Sequence, residues 1–108
     1  MRPWDIYNYE FPFGKHPAVI VSHPLRTAHK PVINILKCAS QRATREAGPT
    51  EIILDEADGL DGPTLCACDL LYAVEKEKLR DRRGTVSPAR RRVIVSRLIA
   101  SLGWNLLD

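Results

Sequence analysis

Trp4-Asp-Ile-Tyr-Asn-Tyr-Glu-Phe-Pro-Phe13 is the stretch that decides the fold. Tyr7, Tyr9, Phe11 and Phe13 fall at every second position, the interval at which side chains of an extended backbone return to the same face. The spacing predicts a first strand from Trp4 to Phe13 with one strongly apolar side. Five of the seven aromatic residues lie here, so the strand reads as a main wall of the core, with a stacking platform for bases as the sharper alternative.

Working outward, Gly14 and Lys15 form a tight connection to Pro17-Ala-Val-Ile-Val21, a short β-branched run, and together these segments predict an antiparallel hairpin. A polar stretch from Ser22 to Pro31 leads to a third strand, Val32-Ile-Asn-Ile-Leu36, which ends in Lys37-Cys-Ala-Ser-Gln41. Residues 42 to 50 read as a loop, Glu51 to Leu54 as another strand and Asp55 to Gly62 as an acidic turn region. Thr64 to Val74 is strand-like, Glu75 to Asp81 is long enough for about two helical turns, and Arg82 to Val86 is a brief strand.

At the other end, Ser87 is placed as a helix N-cap with Pro88 as the first helical residue. Ala89, Val93, Ile94, Leu98, Ile99 and Leu102 recur at helical spacing, and Gly103 stops the helix. Short strands, tight turns and one terminal helix predict a mainly β or α+β fold, a small barrel with a helical appendage.

A chain of 108 residues holds one modest hydrophobic core, so residues 1–108 are expected to form a single domain. With 44% hydrophobic and 27% charged residues, disordered, collagen-like and disulfide-packed classes are excluded. The most apolar segment, Val93 to Leu102, is interrupted by Arg97 and falls short of the roughly 20 apolar residues of a membrane span. The opening residues carry Asp5 and Glu10 without a continuous apolar run, so no secretory signal is expected and a cytoplasmic location is.

Charge is distributed unevenly. Seven Lys and Arg face nine Asp and Glu before Glu75, whereas nine face four from Glu75 onward. A basic last third suits a polyanionic partner or, equally, a solvated helix face. Cys38, Cys66 and Cys68 make an odd count that favours reduced thiols, read as packing residues; zinc held with a histidine is the alternative.

Several of these stretches, in order, resemble the MazF/PemK family of toxin endoribonucleases from toxin-antitoxin systems. Asp5-Ile-Tyr-Asn-Tyr-Glu-Phe11 is similar to the family's opening strand, His16-Pro-Ala-Val-Ile-Val-Ser22 to its Arg-Pro-Ala-Val-Val-Leu-Ser, and Cys38-Ala-Ser-Gln41 to a strand end with a hydroxyl pair. Cys68-Asp69-Leu70 resembles its Asp-Gln strand, Val74-Glu-Lys76 its Val-Asp-Lys, and Arg83-Gly-Thr-Val-Ser-Pro88 its Gly-Thr-Val-x-Pro before the last helix. The resemblance implies an SH3-like, MazF/PemK/CcdB-like barrel and a homodimer. It also implies cleavage of single-stranded RNA without metal or other cofactor, and a cognate antitoxin that covers the RNA groove.

Such cleavage uses the RNA 2′-hydroxyl as nucleophile, so the protein must supply a base, an acid and groups that stabilise the phosphorane. The resemblance places His16 where the family has Arg, and Ala39-Ser40 where it has two hydroxyl residues. His16 is therefore the expected general acid or base, with Lys15 supplying charge. Ser40 is expected to contact the scissile phosphate and Gln41 to act as a neighbouring donor. Asp69 stands at an acidic position that reads or places RNA, and Arg42 and Arg45 are candidates for holding phosphates. The alternative is a weakened or inactive barrel that binds RNA, an antitoxin or another protein such as gyrase, since His16 and Ala39 both depart from the family pattern.

Overall fold

The computed structural model describes residues 1–39 and 45–107. Its elements are β1 (Asp5–Phe11), β2 (Gly14–Ile20), α1 (Pro24–His29), β3 (Val32–Cys38), β4 (Glu51–Leu54), β5 (Thr64–Glu75), β6 (Arg80–Thr85) and α2 (Pro88–Ser101). The strands form one six-stranded sheet in the order β4-β5-β3-β2-β1-β6, with every neighbouring pair antiparallel. The sheet curls into a half-barrel with α2 at its C-terminal end, which is the mainly β architecture expected from the sequence.

Alternation along β1 sorts its side chains onto the two sheet faces. Ile6 joins Val19, Leu36, Cys38, Ile52, Leu54, Cys66, Cys68 and Ile94 in one buried cluster, which includes a residue of α2. Phe11 joins Ala18, Ile20, Ile33, Ile35, Val74 and Leu79 in a second, with Tyr7, Tyr9 and Tyr72 packed at its border. The aromatic run is thus a core wall for most of its length; Phe13, 60% exposed, lies at the rim.

Several boundaries differ from the expected ones. The β1–β2 connection is Pro12-Phe13, while Gly14 and Lys15 already pair with Phe11 and Glu10. Gly14 has φ +134, which its missing side chain permits. The stretch after Ser22 holds α1, whose single buried residue is Thr27 and which therefore has no apolar stripe to betray it. In place of two helical turns after β5 there is one 3₁₀ turn, Lys76–Lys78, because Leu79 must leave it at once to enter the second cluster.

α2 starts where expected, but Ser87 makes no side-chain capping bond. Asp58, from a 3₁₀ turn over Glu56–Asp58, ties down the start of the helix instead: its buried carboxylate accepts from the Ser87 amide at 2.8 Å and from the Arg90 side chain of α2. A carboxylate at this end also complements the helix dipole. Gly84 of β6 lies under this turn, and a Cβ there would sit 2.0 Å from the Asp58 carbonyl oxygen.

Candidate functional site

The β1–β2 register pairs Tyr9 with His16, which puts the imidazole on the aromatic face of the sheet, away from α2. The β2–β3 register pairs Ala18 with Lys37, so Lys37 projects from that same face beside it. Phe11, Phe13, His16 and Tyr72 form one ring cluster. Phe11 stacks on Phe13 at 5.3 Å between centroids and meets Tyr72 edge-on at 5.2 Å; His16 lies 5.9 Å from Phe11 and 5.6 Å from Phe13. The Lys37 ammonium sits 4.9 Å from the Phe13 ring centre.

His16 Nδ1 is sealed from solvent and has no hydrogen-bond partner among the described residues. Partial burial, and next the positive charge of Lys37, hold the imidazole below its ordinary pKa of 6.5. At neutral pH the ring is therefore uncharged, with one nitrogen carrying a proton and the other free to accept one. A neutral imidazole beside an ammonium group can take a proton from a hydroxyl while the ammonium attracts an anion.

The other expected residues are placed variously. Lys15 pairs with Glu10 on the opposite face from His16, so the cation beside the imidazole is Lys37. Lys37 belongs to the alternating set Ile33, Ile35, Lys37, and that parity was the available signal for it. Asp69 is exposed, in the part of β5 between its pairing with β4, which ends at Ala67, and its pairing with β3 at Leu71. No hydrogen bond or ion pair to Asp69 is seen among the described residues. Ser40, Gln41 and Arg42 lie outside the described residues. Arg45 forms a two-pronged, exposed pair with Glu51 at 2.7 and 2.8 Å.

The basic last third is partly neutralised within the fold. Arg82 pairs with Asp5 at 3.4 Å, Arg83 with Asp61 at 3.1 Å, and Arg90 with Asp55 at 2.7 Å, each a carboxylate from the acidic first part of the chain. Cys38, Cys66 and Cys68 are free, buried thiols of the first cluster. Among the described residues no His, Cys, Asp and Glu side chains group so as to hold a metal ion. No helix among them is long and apolar enough to cross a membrane.

A comparison with curated proteins gave no match. Among solved structures, an endoribonuclease in complex with its cognate antitoxin, from a mycobacterial species, shares 26% identity with a TM-score of 0.82, over 95% of this chain and 95% of that one. The Mycobacterium tuberculosis toxin MazF-mt6 has a TM-score of 0.80 at 16% identity, covering 96% of this chain and 98% of its own. A MazE-MazF structure from Deinococcus radiodurans has 0.76 at 15%, covering 95% of each chain. These last two establish likeness of fold. The sequence model of the PemK-like, MazF-like toxins of type II toxin-antitoxin systems matches residues 2–102, and the chain belongs to that family.

Proposed function

We propose that the protein is the toxin of a type II toxin-antitoxin pair and a metal-independent endoribonuclease that cuts single-stranded RNA at short sequences. The observation that carries this reading is the placement of the His16 imidazole among aromatic rings beside Lys37, in a chain of this family. A neutral imidazole suits removal of the 2′-hydroxyl proton and later return of a proton to the leaving 5′-oxygen. The attack forms a 2′,3′-cyclic phosphate, and DNA, lacking the hydroxyl, is spared. Ser40 and Gln41 are assigned to the scissile phosphate, Arg42 to the flanking backbone and Asp69 to reading the RNA.

The whole chain acts as one toxin domain, as a homodimer in the cytoplasm, and is covered by its own antitoxin. That partnership is supported by the antitoxin-bound mycobacterial relative. Incubating the purified protein with a long single-stranded RNA in EDTA and mapping the ends tests the proposal. Discrete cuts with cyclic-phosphate ends are expected. RNA that is bound but left intact would instead support a non-catalytic barrel, the reading favoured by His16 in place of the Arg, and Ala39 in place of the hydroxyl residue, of the family pattern.

A further inference from the structure

Chemistry at His16 leaves one requirement open. An imidazole that begins the reaction as a base begins it uncharged, while the phosphate gains negative charge as the 2′-oxygen attacks. Positive charge must come from elsewhere, and Lys15 lies on the other face. Resting on the nuclease reading, we propose that Lys37 supplies that charge, moving from the Phe13 ring onto the phosphate that His16 acts upon.

Three observations point there. First, Lys37 extends from the face that holds His16, at the last pair of the β2–β3 ladder. Second, no carboxylate lies within ion-pair distance of its ammonium among the described residues, whereas Arg45, Arg82, Arg83 and Arg90 are all paired with acids. Its neighbour is the face of an exposed phenyl ring, a weak hold that a phosphate oxygen displaces, because a charge-assisted hydrogen bond to an anion is the stronger interaction. Third, among the described residues the groups around His16 leave Lys37 as its charged neighbour. β1 presents Tyr9 and Phe11 and the turn presents Phe13; Arg82 of β6 lies opposite Tyr7 and is held by Asp5, while Glu10 and Lys15 belong to the opposite face. The positive charge of Lys37 is also felt by the His16 ring.

Single-turnover cleavage of single-stranded RNA by wild type, Lys37→Gln and Lys37→Arg, followed from pH 5 to 9, tests this. Lys37→Gln should cleave about 100-fold more slowly at pH 7, the effect of removing one preorganised charge-stabilising donor. The acidic limb of its profile should move to higher pH, because His16 loses a like-charged neighbour. Lys37→Arg should keep the wild-type limb and most of the rate. A Lys37→Gln protein that cleaves like wild type overturns the inference while leaving the nuclease reading intact. So does a rate loss with an unmoved limb, or one shared in full by Lys37→Arg, since either marks a structural role. A wild-type protein that cuts no RNA overturns the nuclease reading and this inference with it.

Discussion

Lys37 holds its ammonium 4.9 Å from the centre of the Phe13 ring, and that ring in turn lies 5.6 Å from the ring of His16. One exposed phenyl group therefore both parks the cation and shields the imidazole. Replacing it, as in Phe13→Ala, should admit water and raise the His16 pKa toward 6.5. Proton NMR titration of the His16 ring reads this directly, and an unmoved midpoint would contradict it. The sign carries over to stability. Because His16 titrates lower when folded, the unfolded chain takes up its proton first as pH falls through 6.5. Stability should drop there until the folded form is also protonated. His16→Gln should remove that component.

Acid should also loosen the loop and the helix docking. Arg45, and next the Gly48 amide, hold the Glu51 carboxyl down to about 2, from an ordinary 4.5. Hydrogen bonds from Arg90 and then from the Ala57 amide lower Asp55. Carboxylates with depressed folded pKa values stabilise fully above their unfolded values, and that contribution fades as pH falls through the folded ones. Urea midpoints should therefore decline from about pH 4.5 toward 2. Arg90→Ala, which leaves the buried Asp58 carboxylate without its cation, should cost about 3 kcal/mol at pH 7. A cost below about 1 kcal/mol, the range of an exposed pair, would show that Arg90 does not dock α2 on the acidic turn.

Gly84 offers a sharper packing test. A Cβ would meet the Asp58 carbonyl oxygen at 2.0 Å and the Gly59 Cα at 2.9 Å, both backbone atoms. Gly84→Ala should destabilise by about 3 kcal/mol, the upper end for overpacking, and lower the thermal midpoint accordingly. An unchanged midpoint would mean that the turn and β6 do not approach this closely.

Much of this architecture was legible because the period-two aromatic run and the Ser87-Pro88 start of α2 are local signals. The helix α1 was not. Its six residues bury only Thr27, and its start is marked by Pro24 and by a cap in which the His23 ring, an uncommon capping group, accepts from the Leu25 amide. The 3₁₀ turn after β5 was hidden for a different reason. Its course is set by the distant contact of Leu79 with the second cluster and by Lys76 donating to the Thr27 carbonyl at 2.8 Å, neither of which is visible in residues 75–81. At the site, His16 was named from the resemblance of His16-Pro-Ala-Val to the family's Arg-Pro-Ala-Val. Lys37 was not among the expected residues: parity along β3 gives its face, but only the β2–β3 register brings it beside His16.

The three cysteines should behave as core rather than as reactive groups. Cys38, Cys66 and Cys68 are fully buried. A hydrogen bond with Cys38 and burial push the Cys66 thiol well up, and a hydrogen bond with Cys66 and burial do the same for Cys68. A thiol reagent at pH 8 should label none in the native protein and all three after unfolding in denaturant. Rapid native labelling of any of them would contradict the packing described.

The central claim is that the His16 imidazole transfers the proton in an RNA-cutting site. Single-turnover cleavage of a long single-stranded RNA in EDTA, by wild type and His16→Ala across pH 5 to 8, tests it most directly. The account predicts cyclic-phosphate ends, a wild-type rate that rises with pH as the imidazole loses its proton, and a loss of at least about 100-fold in the variant. Equal cleavage by the two proteins, with a rate that does not change over that range, would contradict it.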